Sequence, residues 1–412
     1  MAVGPGGLPL MFPVKGFQLA TSCAGIKVAG RKDLVVMALA AGSEVAGVFT
    51  RNAFCAAPVQ VAKKHLVQGH GQSPRYLLTN TGNANAGTGK KGLNDALQSC
   101  ASLAAIAGVD ATQILPFSTG VIGEPLPVAA LLAALPTTFN ALAEEGWEAA
   151  AEGILTTDTR PKGASCQLNI QGKVVTVTGI AKGAGMIRPD MATMLAYIAT
   201  DAQCSNAWLQ QTLNSTVEKS FNRITIDGDT STNDSLILVA TAQSGVSISD
   251  EAADGSASDA LLLRAAIEKI GIELAQAIVR DGEGATKFVT VEVNGGLSSA
   301  ECLQVAYTVA ESPLVKTALF ASDPNWGRIL AAVGRAGVDK LDVNRLKIFL
   351  DHVLISEQGG RAESYTEQAG QTIMSQDELT IRIDLARGSV SETVWTTDLS
   401  NDYIRINAEY RT

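Results

Sequence analysis

Short apolar runs of strand length alternate with helical stretches along this chain, and that alternation limits its fold more than any other feature. The early runs are Phe17–Ala20, Asp33–Ala40, Val45–Thr50, Arg75–Thr81 and Ile114–Thr119. None is long enough for a stable helix of its own. Apolar residues at helical spacing mark Leu93–Ala107, Pro127–Leu135, a stretch around Ala141–Leu155, and Ser258–Arg280. Cys166–Ile170 and Lys173–Ile180 alternate about Gln171-Gly172, the pattern of a hairpin. Ser205 is placed to cap a helix running to Lys219. Strands are predicted at Met194–Ala199, Asp234–Ala242 and Lys287–Val293, and a helix over Ala300–Leu319. The C-terminal part predicts strands at Lys347–Ile355, Leu379–Leu385, Ser391–Thr397 and Tyr403–Glu409. Helices interleaved with hairpin-like pairs fit a mixed α/β (α+β) fold, with sheets layered against helices, better than a βαβ series. The chain has 412 residues, enough for two or three lobes at about 100–200 residues each. No repeat or low-complexity linker marks their boundaries.

Charge and composition exclude several partners. The net charge is −9 and no Lys/Arg cluster stands out, so neither nucleic acid nor an anionic membrane surface is expected to bind. The longest apolar run, from Leu34, is broken by Glu44, short of the ~18–20 residues that a membrane span needs. The N-terminal segment lacks a basic region followed by an apolar one, and a soluble, cytoplasmic protein is expected. The six cysteines are scattered, without a CxxC pair, and predict buried thiols rather than a metal site or disulfides.

Two motifs invite a ligand and do not support one. Gly82-Asn-Ala-Asn-Ala-Gly87 is followed by Thr88, where a phosphate loop needs Lys and then Ser or Thr. The polar loop Asn80–Gly92 is therefore read as a turn. Asp227-Gly-Asp-Thr-Ser-Thr-Asn-Asp234 begins like a calcium loop, but Thr232 and Leu238 stand where Gly and Glu belong. It is read as a solvated turn. His65, His70 and His352 are the only histidines, and none lies in a catalytic context.

An enzyme poor in histidine needs another general base, and a chain-terminal amine is one, with a pKa of about 7.7–8.0. If a chain is cut before a threonine, the new amine lies beside the hydroxyl and can take its proton. The same hydroxyl can make the cut by attacking the preceding carbonyl. This chemistry needs a small residue before the nucleophile, a constrained backbone and a rigid element after it. Ala192-Thr193-Met194-Leu195 fits, with Gly183, Gly185 and Pro189 ahead and the apolar Met194–Ala199 behind. Taken alone, a threonine opening a strand is more often an ordinary β-branched residue.

Gly183-Ala-Gly-Met-Ile-Arg-Pro-Asp-Met-Ala-Thr-Met-Leu195 resembles the self-cleavage segment of the ornithine acetyltransferase family. This is the glutamate N-acetyltransferase / amino-acid acetyltransferase family of arginine biosynthesis. The resemblance spans nearly the whole chain. It includes Thr79-Asn-Thr-Gly-Asn-Ala-Asn-Ala86, Ser118-Thr-Gly-Val-Ile-Gly123, Thr156-Thr-Asp158, Asp323-Pro-Asn-Trp-Gly-Arg328 and Asn407-Ala-Glu-Tyr-Arg-Thr412, in family order. Gly87 is a departure, standing where the family more often has cysteine.

The resemblance implies cleavage between Ala192 and Thr193. The products would be an α chain, 1–192, and a β chain, 193–412, in a heterotetramer of two of each. Thr193 would be the nucleophile, with Thr119 and Gly120 as the oxyanion hole. Lys182 would bind a substrate carboxylate, and Glu283 would grip an α-amino group or assist proton transfer. Thr156, with Thr157 as the neighbouring alternative, would join Thr193, Asn407 and Thr412 in completing the substrate site. The implied reaction is ping-pong: N2-acetyl-L-ornithine acetylates Thr193, and L-glutamate then takes the acetyl group. Some members also use acetyl-CoA as co-substrate. No metal or bound cofactor is implied. The implied fold is a layered αββα sandwich of the ornithine acetyltransferase and DmpA-like type. Two rivals are a self-cleaving aminopeptidase or amidase, in which water resolves the acyl-enzyme, and a binding protein whose glycine-rich loops merely turn.

Overall fold

The computed structural model describes residues 2–68, 73–188, 194–248 and 256–409. The chain opens with β1 (Phe17–Ser22), β2 (Leu34–Leu39), β3 (Glu44–Phe49), α1 (Ala57–Gln68), β4 (Tyr76–Asn83), α2 (Gly89–Ala107) and β5 (Ile114–Val121). It continues through α3 (Val128–Asn140), α4 (Trp147–Gly153), β6 (Lys162–Ile170), β7 (Lys173–Lys182), β8 (Leu195–Thr200), α5 (Asn206–Lys219), β9 (Ser235–Ala240) and α6 (Ser256–Arg280). A second lobe follows with β10 (Phe288–Gly296), α7 (Ser299–Ala310), α8 (Pro313–Phe320), α9 (Trp326–Gly334), β11 (Lys347–Leu350) and β12 (Val353–Glu357). The last elements are β13 (Gly360–Arg361), α10 (Glu367–Met374), β14 (Glu378–Asp384), β15 (Val390–Thr397) and α11 (Asn401–Ala408).

The first lobe is built as helix, sheet, sheet, helix. One sheet has the order β1-β2-β4-β5 and the other β3-β9-β8-β7-β6. The alternation of side chains along each strand decides which layer they fill. In β2, Val35, Met37 and Leu39 point into the space between the sheets, while Leu34 and Val36 point toward α2 and α3. In β8, Leu195, Tyr197 and Ala199 face the same inter-sheet space, while Ala196 and Ile198 face α5 and α6. A strand buried on both faces must be apolar at every position, as Leu195–Ala199 is. One polar bond crosses the dry layer, between the Thr79 and Tyr197 hydroxyls at 2.8 Å.

The second lobe packs the sheet β13-β12-β11-β14-β10-β15 against α7, α8, α9 and α10. Val289, Val291 and Val293 of β10 enter that core, and Thr290 and Glu292 turn away from it.

Several expectations are corrected. Tyr403–Glu409 is not a strand: Tyr403–Ala408 belong to α11, whose first turn is capped by the Ser400 side chain, and Glu409 ends it. The period-two alternation of Ile404, Ile406 and Ala408 does not outweigh that cap. Ala300–Leu319 is two helices, because the Ser312 cap and Pro313 start a new one. Lys347–Ile355 is two strands that fold back at Asp351-His352, with Asp351 at φ 46°. The helix around Ala141–Leu155 begins only at Trp147. Helices α1, α9 and α10 were not anticipated. Of the cysteines, Cys100, Cys204 and Cys302 are buried, Cys55 and Cys166 are partly so, and Cys23 is exposed. His65 is a core residue whose Nδ1 meets the Ile114 carbonyl oxygen at 2.7 Å, His352 is exposed, and His70 lies outside the described residues.

Candidate active site

The two sheets of the first lobe bring their strand ends to one cleft of about 280 Å³. Thr119 and Gly120 arrive at the end of β5, Lys182 at the end of β7, and Glu283 just after α6. Thr156, Thr157, Met186 and the segment Ser231-Thr232-Asn233 complete the walls, with Asn407 of α11 at the mouth. An inner recess continues from Thr119 and Lys182 to Met194, Leu195 and Asp234. Ala192, Thr193 and Thr412 lie outside the described residues. Among the described candidates, Thr119, Gly120, Thr156, Lys182, Glu283 and Asn407 therefore share one cleft, and both Thr156 and Thr157 line it.

The geometry of each wall follows from local constraints. Gly120 sits at φ 134°, where a Cβ would lie 2.5 Å from the Asn83 nitrogen, so no side chain fits. The close approach belongs to the parallel pair β4 and β5, in which Gly82 faces Gly120. Ser118 donates to the Asn80 side-chain oxygen at 2.6 Å, and Asn85 donates to the Gly92 carbonyl at 2.9 Å. The asparagines of this motif thus fold the loop rather than line a phosphate site.

Lys182 is buried and donates to the Thr119 hydroxyl at 3.1 Å. Burial lowers its pKa, while the Asp158 carboxylate pulls the other way. Its ammonium is aimed into the cleft. Gly185 lies against the Glu283 carboxylate, so that a Cβ there would lie 2.6 Å from its carboxyl carbon and would push the carboxylate aside. The Glu283 amide donates to the Ala184 carbonyl at 2.8 Å, and the Asn407 amide donates to Glu283 Oε2 at 2.8 Å. The arm at 183–188 is pinned again by Asp227, which accepts from the Met186 and Ile187 amides at 2.6 and 2.9 Å and from the Tyr403 hydroxyl at 3.2 Å. Met186 is held at φ 55°, an uncommon conformation for a residue with a side chain.

Sequence reasoning missed a buried ion cluster behind the cleft. Lys162 Nζ lies 2.6 Å from both Asp158 and Asp281, and all three side chains are sealed from solvent. Asp158 also accepts from the Gly183 amide at 2.7 Å and the Thr156 amide at 2.9 Å. Burial alone would raise the Asp158 pKa, but Lys162 and Lys182 together hold it well below the usual carboxylate range. The cluster therefore ties the Thr156, Lys182 and Glu283 walls to one another. The only sequence signal was the polar run Thr156–Thr159 between two apolar elements.

The segment at 227–234 was expected to be a solvated turn, and its second half is not. Thr232, Asn233 and Asp234 are buried, and Asn233 donates to the carbonyls of Ala84 at 2.6 Å and Ser118 at 2.8 Å. It knits the loops of one sheet to the strand of the other. Asp323–Arg328 lies elsewhere and caps α9, with the Asn325 side chain accepting from the Arg328 amide.

A buried cation, a buried carboxylate and fixed donors at strand ends, converging on a cleft between two sheets, define an enzyme of the α/β class. The ArgJ family model matches residues 18–412, and the chain belongs to that family. It is 61% identical over 412 residues, the full length of both chains, to arginine biosynthesis bifunctional protein ArgJ of Pseudomonas fluorescens (strain Pf0-1). The protein of that name from Psychrobacter arcticus is 54% identical, again over the full length of both. Among solved structures, ornithine acetyltransferase of Mycobacterium tuberculosis, complexed with ornithine, is 34% identical over 44% of this chain and 94% of that one, with a TM-score of 0.37. No helix among the described residues is long and apolar enough to cross a membrane.

Proposed function

We propose that this protein cuts itself between Ala192 and Thr193 and moves acetyl from N2-acetyl-L-ornithine to L-glutamate through an acetyl-Thr193 intermediate. The observation that carries the reading is the cleft itself. Its inner recess reaches Met194, the residue covalently attached to Thr193, alongside Thr119 and Lys182. The relatives' names, and the ornithine bound to the Mycobacterium tuberculosis enzyme, support an amino-acid substrate. Thr119 and the Gly120 amide would hold the oxyanion, in a site whose donors are fixed before the reaction. Lys182 would take the carboxylate common to both amino acids, and Glu283 with Asn407 an ammonium. The acetyl group would lie toward Ala84, Val121 and Ile122, the apolar residues of the cleft wall. The α and β chains would form a cytoplasmic heterotetramer, with acetyl-CoA as a second acetyl donor.

Denatured intact mass tests this directly. Two fragments that meet between Ala192 and Thr193, the second gaining one acetyl mass on brief exposure to N-acetylornithine, are expected. A single chain of 42.8 kDa that gains nothing would overturn the reading.

A further inference from the structure

Among the described residues, Asp234 is the one carboxylate lining the cleft that the reaction above leaves unused. It stands one residue before β9, is 2% exposed, and lines the inner recess with Thr119, Lys182 and Met194. Its Oδ2 has no hydrogen-bond partner among the described residues. Buried carboxylate oxygens without a partner are costly, and an orphan in a native site asks for a functional reason. The backbone around it is fixed. The Asp234 carbonyl accepts from the Thr50 amide at 3.0 Å, and the Ser235 amide donates to the Met194 carbonyl at 2.8 Å. The parallel register, Leu195 beside Ser235, sets Asp234 abreast of Met194 on the next strand. Glu283 differs, because its Oε2 is already taken by Asn407.

We propose that the Asp234 carboxyl is the proton-transfer group of the inner recess, giving a proton to the amine that leaves and taking one from the amine that attacks. The inference rests on the acyl-enzyme reading. An amide nitrogen cannot leave as an anion at neutral pH, so its departure needs an acid. In the first half-reaction the Thr193 Oγ–carbon bond forms and its hydroxyl proton passes to the α-amine. The carbon–nitrogen bond of the donor breaks, and the Asp234 proton goes to that nitrogen. In the second half the acceptor nitrogen bonds the acetyl carbon and yields its proton to Asp234. The Thr193 oxygen leaves and recovers its proton from the α-ammonium. The cycle closes with no net proton.

The surroundings suit an acid. Burial raises the Asp234 pKa well above the ordinary carboxylate value, against the opposing pull of the Ser231 hydroxyl and Lys182. The charged and titratable groups around it are Lys182 from β7 and Cys55 before α1, with Lys63 of α1 beyond Cys55.

The test compares two acetyl donors, since an acid matters only to a poor leaving group. Acetylation of the enzyme by N-acetylornithine and by p-nitrophenyl acetate is followed by rapid-quench intact mass. For Asp234→Asn the amide donor is expected to slow by about 100-fold or more, while the activated ester changes by less than about threefold. Equal slowing with both donors, or none with either, would overturn the proposal. In the unmodified enzyme the amide-to-ester rate ratio is expected to fall as pH rises, since base catalysis cancels in the ratio and only the acid remains. A pH-independent ratio would overturn it without any variant. If the unmodified enzyme gains acetyl from neither donor, the acyl-enzyme reading fails and takes this one with it. That result is distinct from the others because it appears before any substitution.

Discussion

At the scale of single residues, the cleft separates side chains chosen for chemistry from those chosen for space. Thr119 and Gly120 are neighbours with opposite constraints. The Thr119 hydroxyl meets Lys182, whereas Gly120 is fixed by the backbone of Gly82 and Asn83. Thr119→Val is expected to lower kcat by about 10²–10³-fold with little change in Tm, as for loss of one oxyanion donor. Gly120→Ala should lower Tm as well, costing about 1–3 kcal/mol of strain before any clash is counted. Steady-state kinetics beside thermal melts distinguish the two. Which residues share the cleft was legible mainly through family resemblance, because one exposed lysine and one buried lysine look alike in a sequence. Lys162 was invisible for that reason, since its worth lies in a partner 119 residues away, Asp281, whereas Asp158 stood in the Thr156-Thr-Asp158 motif but without its part in the ion cluster.

At the scale of elements, local signals were read well where burial and chemistry agreed. The Gln171-Gly172 turn pairs β6 with β7 in the anticipated register, and Ser205 caps α5 by accepting from the Trp208 amide at 3.1 Å. Reading failed where a helix is short and exposed, as in α11, or where a polar loop is buried by elements remote in sequence, as at 232–234. The ion cluster belongs to this scale, since it fastens the loop after α4, the end of β7 and the end of α6. Asp158→Asn should cost about 3–5 kcal/mol at neutral pH by leaving Lys162 short of a partner. The sign follows from the depressed folded-state pKa. The Asp158 contribution is complete above its unfolded value of about 3.9 and is lost as pH falls through the folded one. Urea midpoints for the two proteins should therefore differ most near neutrality and converge toward strongly acid pH.

At the scale of the whole molecule, the second sheet would decide how the chain survives the proposed cut. Its order is β3-β9-β8-β7-β6, so β8 and β9 lie between strands that precede residue 192. Neither piece can complete that sheet, and each alone would expose unpaired strand edges, the usual templates for aggregation. The proposed cleavage at 192–193 would therefore follow folding, and it would make the folded state hard to regain. An uncut Thr193→Ala chain closes its sheet within one molecule, whereas two cut pieces must find one another by diffusion. After dilution from urea, the uncut chain should recover at a rate independent of concentration. The mature protein should recover poorly, with a concentration-dependent rate and much of it lost to precipitate. By severing its own chain the molecule would trade reversibility for a reactive end, and its working lifetime would be set by how slowly it first opens rather than by how favourably it could close again.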